Sequence, residues 1–375
     1  MSEVIPAEEI RAAAKAMLLR HATSERIRNL FDKPNRLDDL LWQQMSNLGW
    51  MGMEVPEEFG GLGGQFDDVV ILLEELGRFA AGGPFMSTAT LAIGALLLAG
   101  TESQRNEFLP RLAAGECLAT AALCDAAGRP MPSVRWRTDP DSAIRLDGVV
   151  GFVPDAGIAE MIVVGATDAA GANLLVFVPR DRAGIGYEPT PVLDQTRSMW
   201  QITFIDCMVS AAEVMASGAA ASDTLSRLFA RASVAIAADS TGNARSVLDR
   251  TTTYAKERIQ FGMPIGTFQG VKHQCANMFV GTEEAATLTT AAAEAITANS
   301  HDASELASMT KYYACRNAAD AAGRGVQLHG GIGYTWEHDM HIYLKRAKLN
   351  EALFGDTRSH LRNVATSILG PVSAA

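Results

Sequence analysis

A chain of 375 residues, 48% hydrophobic and 20% charged, has material for two or three packed units and a large core. The formal net charge of -11 argues against nucleic acid or an anionic membrane as the main partner. It leaves a phosphorylated ligand open, because local basic residues decide that. No run of about 20 apolar residues is present to span a bilayer, and the opening MSEVIPAEEIRAAAK has no signal-peptide apolar core. Cys117, Cys124, Cys207, Cys275 and Cys315 are scattered and odd in number, as expected of buried free thiols in a reducing cytoplasm.

In chain order, three regimes follow, with boundaries expected at 1–115, 116–215 and 216–375. The first is helical: LDDLLWQQMSNLGW, DDVVILLEELGRFA and STATLAIGALLLAG repeat apolar residues at three- and four-residue steps, broken by EEFGGLGG and AGGPF. The second consists of short β-prone runs (CLATAAL, SAIRLDGVVGFV, MIVVGAT, LLVFVPR, WQITFIDCMV) with turns such as TDPD and DAAGAN. It predicts a small antiparallel β unit, and strands segregated from helices point to α+β layering. The third is helical again and rich in alanine. LSRLFARASVAIAADSTGNARSVLDRTTTYAKERIQ reads as one helix of over thirty residues, and two more long helices follow it. Long helices with short connections predict an antiparallel bundle.

Two stretches carry most of the chemistry. In KERIQFGMPIGTFQGVKH (256–273), Arg258 at a helix end beside Phe261 and Gly262 offers a planar cation next to an aromatic surface, suited to a pyrophosphate and a ring. In VQLHGGIGYTWEHDMHIYLKRAK (326–348), Gly330, Gly331 and Gly333 allow close approach of a ligand to the backbone. Each alone is weak, since glycine turns between helices are mostly turns.

Together and in this order these stretches resemble the acyl-CoA dehydrogenase family. The resemblance extends over WMGMEVPEEFGGLGG, ITFIDCMVSAAEVM, RIQFG…FQ and QLHGGIGY. It implies the family's fold: an N-terminal helical domain, a central antiparallel β domain and a C-terminal four-helix bundle. It also implies FAD and an acyl-CoA substrate, desaturated as a carboxylate takes the α-proton and hydride passes to the flavin. By matching position, Arg258, Phe261, Gln269, Gln327, Gly330 and Gly331 are expected at the pyrophosphate and adenosine half of FAD, reached in a neighbouring subunit. Thr357 matches a threonine that contacts FAD from the cofactor's own subunit. Electron-transfer flavoprotein or a similar acceptor, and a homo- or heterotetramer, are the implied partners.

The departures are as informative. Where the family usually reads Tyr-Glu-Gly-Thr, this chain reads LFGDT: Phe354 takes the tyrosine position, Gly355 the glutamate position, and Asp356 falls one residue late. One residue rotates a side chain by about 100° at a helix start, so Asp356 reads better as a helix cap than as the base. The alternative seat of the base, on the long helix before RIQFG, is Ala232, with Ser233 in place of an arginine and Arg231 close by. Asp239 lies seven residues on, on the same face about 10 Å away, and is a candidate base or a structural hydrogen-bonding residue. In the β region, LCDAAGRP and FVPD stand where the family has the loop and strand that pack on the flavin ring. Phe152 can replace the aromatic there, but Pro154 offers no hydroxyl.

The adenosine-side motifs survive and the flavin-side motifs are eroded. Three readings follow: an FAD-dependent acyl-CoA dehydrogenase, with bulky or steroid side-chain acyl groups as the expected substrates and Asp239 or Asp356 as base; a non-catalytic subunit completing a partner's FAD site, as in the α2β2 relatives with LFGD endings; or a flavin-dependent oxidase or monooxygenase. His329, His338 and His341 show no metal-ligand spacing, and Lys345 and Arg346 read as a solvated or interdomain face, with a CoA-phosphate role as the alternative.

Overall fold

The computed structural model describes residues 5–33, 35–141 and 143–370. The N-terminal part contains α1 (Ala7–His21), α2 (Ser24–Arg28), α3 (Asp39–Asn47), α4 (Phe66–Arg78), α5 (Ile93–Ala99) and α6 (Glu102–Ala113). A seven-residue π-helical segment, Met86–Ala92, leads into α5. Reciprocal capping fixes the starts of two of these helices: Gln65 with Asp68 at α4, and Thr101 with Gln104 at α6.

The middle is one sheet of β1 (Ala119–Ala122), β2 (Val134–Thr138), β3 (Ile144–Pro154), β4 (Met161–Thr167), β5 (Asn173–Pro179), β6 (Ile185–Thr190), β7 (Met199–Val209) and β8 (Val214–Ser217). Its order is β6-β7-β3-β2-β4-β5-β8, with β1 also on β4. The expectation of an antiparallel unit needs one correction: β1 and β2 each run parallel to β4, while the remaining pairs are antiparallel. β4 is buried along six of its seven residues, so it presents the continuous apolar run of a strand covered on both faces.

The C-terminal part is the bundle α7 (Gly218–Glu257), α8 (Gln269–Thr297), α9 (Ala303–His329), α10 (Met340–Ala352) and α11 (Thr357–Leu369). A two-residue hairpin, β9 (Ile259–Gln260) and β10 (Met263–Pro264), joins α7 to α8. The 40-residue α7 is the spine, burying Ala232, Ala235, Ala237 and Ala238 completely. Small residues let α4 press against it: a Cβ on Gly77 would stand 2.1 Å from the carbonyl oxygen of Asp239. That crossing brings Asp239 to the place where the N-terminal helices, the sheet and the bundle meet.

Candidate functional site

Asp239 is 3% exposed and accepts from three side chains at once. Arg346 of α10 donates through Nε to both carboxylate oxygens at 3.1 Å, Arg197 lies at 2.9 Å, and Asn350 Nδ2 donates at 2.7 Å. Burial alone would raise its pKa, but the two guanidinium groups overcome burial and hold the carboxylate at about 2. A carboxylate with its lone pairs taken, and at that pKa, has no drive to remove a proton from carbon. The surroundings of Asp239 therefore fit the structural reading and not the catalytic one.

The same network corrects the reading of Arg346 as a solvated face, since it is 3% exposed. It also donates to Thr196 Oγ1 at 2.7 Å and to the carbonyl of Ala81 at 2.9 Å, tying the bundle to the β6–β7 loop and to the end of α4. The loop can come this close because Gly82 has no side chain; a Cβ there would lie 2.1 Å from the carbonyl of Thr196. Lys345, beside it, turns outward over the ring of Trp336.

Across from Asp239, the strand end Phe152–Asp155 is the stretch that the resemblance places against a flavin ring. Here it closes the junction. The Asp155 amide donates to the carbonyl of Ser198 at 2.9 Å, and Ser87 of the π-helical segment donates to its carboxylate at 2.7 Å. Burial pushes the Asp155 pKa up to about 6, against the pull of Ser87 and Arg197. The cavity left between Gly82, Phe85, Pro154, Asp155, Arg197, Met199 and Asp239 is about 30 Å³, room for about two waters. Pockets for drug-sized ligands run to roughly 300–1,000 Å³. The side chains lining this cleft do not fit a tricyclic flavin or an acyl thioester.

Both seats for a base are rebuilt. Ala232 is fully buried in an apolar cluster with Val55, Leu91 and Met199, and Arg231 turns aside to form a two-pronged ion pair with Glu54 over the ring of Phe66. At the other seat Gly355 has φ +102°, and a Cβ there would lie 2.8 Å from His360 Nε2. His360 bonds the carbonyl of Phe354 at 3.0 Å, and the buried Lys311 Nζ donates to the carbonyls of Asn350 and Gly355 at 2.7 and 3.2 Å. Asp356 is exposed and caps α11, accepting from the Ser359 amide at 2.8 Å. That amide, with the Ser359 hydroxyl, lowers its pKa. Thr357 opens the helix behind it.

The adenosine-side residues lie at the outer end of the bundle and point into solvent. Arg258 ends α7 and makes no side-chain ion pair among the described residues. Phe261 is 90% exposed at the tip of the β9–β10 hairpin. Both turn residues, Phe261 and Gly262, have positive φ, as a tight hairpin requires, and for a phenylalanine this costs about 1 kcal/mol. Gln269, Gln327, Gly330 and Gly331 are exposed too. An open groove of about 1000 Å³ lined by Gln274, Arg316, Arg324, Gln327 and Lys348 runs along α9 from this end. Among the described residues no group of three or more His, Cys, Asp or Glu is placed to hold a metal ion.

Family models of the acyl-CoA dehydrogenase N-terminal and C-terminal domains match residues 6–116 and 222–369. The chain belongs to the acyl-CoA dehydrogenase family. It is 30% identical to the acyl-CoA dehydrogenase IpdE2 of Mycolicibacterium smegmatis over 96% of this chain and 98% of that one. FadE34 of Mycobacterium tuberculosis is 32% identical over 85% of this chain and 41% of its own length. Among solved structures, a variant of the Tcur3481-Tcur3483 steroid ACAD superposes with a TM-score of 0.88 at 29% identity, covering 97% of each chain. The ChsE4-ChsE5 complex from Mycobacterium tuberculosis gives 0.90 at 23%, covering 98% of each chain, a likeness of fold.

Arg197, Asp155, Asn350 and Lys311 were not legible as functional positions in the sequence. For Lys311 and Asn350 the signal that was available is compositional, a cation and an amide inside bundle helices where each needs a partner; Arg197, in the β6–β7 loop, and Asp155, just after β3, carry no such signal.

Proposed function

We propose that this acyl-CoA dehydrogenase family member works as one subunit of a heteromeric, FAD-dependent enzyme acting on a bulky, steroid-type acyl-CoA. Its own task is to complete the FAD site of its neighbour. The observation that carries this reading is a contrast within the chain. The inner cleft is filled by Arg197, Asp239 and Arg346 down to about 30 Å³, while Arg258, Phe261 and Gly331 stand ready at the surface.

Two glycines support a ligand at that surface. Gly270 and Gly331 do not have left-handed φ, and nothing lies within 4 Å of where a Cβ would stand. Gly270 sits in the first turn of α8. Nothing inside the chain asks for its missing side chain; a nucleotide or partner backbone approaching from outside does. Arg258 then holds a pyrophosphate by charge-assisted hydrogen bonds, and Phe261 offers its ring to the adenine.

Two copies of this chain alone do not satisfy the arrangement, because the hairpin of each would face a sealed cleft in the other. A different acyl-CoA dehydrogenase chain with an open cleft does. The name of the steroid ACAD relative supports a steroid-type acyl group, and electron-transfer flavoprotein is the acceptor expected for the complex. An oxidase or oxygenase reading meets the obstacle of the sealed cleft as well.

The test is co-expression with a second acyl-CoA dehydrogenase chain from the same genome. This chain purified alone is expected to be colourless, and the complex yellow and bleached by a steroid-type acyl-CoA. A flavin-loaded, active homotetramer of this chain alone would overturn the proposal.

A further inference from the structure

The segment 330–339, between α9 and α10, carries the exposed glycines and is fastened at both ends by imidazoles. His329, the last residue of α9, is buried, and its Nδ1–H donates to the carbonyl of Gly325 at 2.7 Å. Its ring stacks on Tyr254 of α7, centroids 4.5 Å apart and 25° between planes. On its other side the His338 ring lies 4.5 Å away. His338 Nδ1 accepts from the backbone N–H of Met340 at 3.3 Å, holding the first turn of α10. An Nδ1 that accepts is unprotonated, so this bond exists only with His338 neutral.

The charges around the pair leave no place for a proton. Arg250 of α7 and Arg28 of α2 both bind Asp339, at 3.0 and 2.9 Å, and Ser24 donates to the same carboxylate. Asp339 is therefore already shared by two cations. Glu337 is exposed in solvent. From α10 come His341, edge-on to Trp336, and Lys345, over that ring. Arg28 also donates to the carbonyl of Trp336. Burial, then the neighbouring positive groups, hold both imidazoles of the pair below the ordinary histidine range.

We propose that the Tyr254–His329–His338 stack is a proton-operated latch on the 330–339 segment, closed while both imidazoles are neutral and released when either gains a proton. A proton on His338 turns the acceptor of the Met340 amide into a donor pointing at a donor. A proton on either ring places a new, partly buried cation facing Arg250. The sign follows from the lowered folded pKa values: the latch is at full strength above about 6.5, the unfolded histidine value, weakens as pH falls below it and is lost through the lower folded values. The consequence for a neighbour's FAD, retention at neutral pH and loosening in acid, rests on the function proposed above. The response of the segment itself does not.

Amide hydrogen exchange of the full chain at pH 7.5 and 5.5, corrected for intrinsic rates, reads the latch directly. Residues 330–341 are expected to exchange about tenfold faster at pH 5.5, the factor for one proton taken up by the open form one pH unit below the unfolded histidine value, while β4 and β5 serve as an unchanged reference. In the double variant His329→Asn/His338→Asn, the amides take over the donor to Gly325 and the acceptor for Met340 without titrating. Its segment is expected to exchange equally at the two pH values. Unchanged exchange in the wild type, or a pH response that persists in the folded double variant, would overturn the latch. If the double variant does not fold, NMR titration of the wild-type imidazoles decides. His329 and His338 are expected below 6.5, and both titrating at the ordinary value would sink the proposal. None of these readouts involves flavin, so failure of the latch and failure of the heteromer are distinguishable.

Discussion

Arg258, at the end of α7, and Arg346, in the middle of α10, are both arginines of the C-terminal bundle, and they do opposite things. Arg258 stands in solvent with no ion-pair partner among the described residues. Arg346 is 3% exposed and binds Asp239, Thr196 and Ala81. One end of the bundle keeps cation, aromatic ring and bare backbone available; the inner junction spends its polar groups on each other. On the function proposed above, the comparison teaches that loss of a cofactor cleft need not leave a hole. Here a loop, two arginines and one aspartate fill it, and the three parts of the chain are fastened together where the family's chemistry would otherwise occur.

The largest expected effect is at that junction. Asp239→Ala leaves two buried guanidinium groups facing each other and is expected to destabilise the chain by about 3–5 kcal/mol, read by denaturant unfolding. A loss under about 1 kcal/mol would mean that the network is not holding the junction. Gly355→Glu, which puts a glutamate back in the family's seat, comes next. With φ +102° and His360 Nε2 at 2.8 Å from the new Cβ, it is expected to lose about 2–3 kcal/mol from backbone strain and steric overlap. It is also expected to gain no dehydrogenase activity; activity in that variant would break the distinction between the two regions.

Asp356→Ala removes a helix cap and is expected to cost about 1 kcal/mol. Turnover of the co-expressed complex should stay within a factor of two, whereas a catalytic base would cost at least about a hundredfold. Arg258→Ala has the smallest expected effect on the fold, within about 0.5 kcal/mol, because the side chain is exposed. It sharpens the comparison most: flavin content of the complex should fall about tenfold or more with loss of a charge-assisted pyrophosphate contact, while the melting temperature of the chain alone stays put. Equal flavin retention would remove Arg258 from the site.

Much of the architecture was legible before any coordinates. The 40-residue α7 was largely legible because the stretch between Gly218 and Glu257 is alanine-rich and has no proline to end it. That neither family seat holds an acid was legible as well, because Gly355 and Ala232 have none to offer. The parallel pairing of β1 and β2 with β4 was not legible, because alternation along a strand does not reveal its neighbour's direction.

The sequence by itself determined which chemical groups this protein has and lacks: no carboxylate at either family seat, and an intact set of arginine, phenylalanine and glycines in RIQFG…FQ and QLHGGIGY. Tertiary structure decided what Asp239 touches. An aspartate in an alanine-rich helix is equally a base or a bridge until its neighbours are known, and those neighbours, Arg197, Arg346 and Asn350, come from positions 42, 107 and 111 residues away. Local pattern reports periodicity along one element. The pKa of a buried carboxylate is set by charges that only folding brings within 3 Å of it.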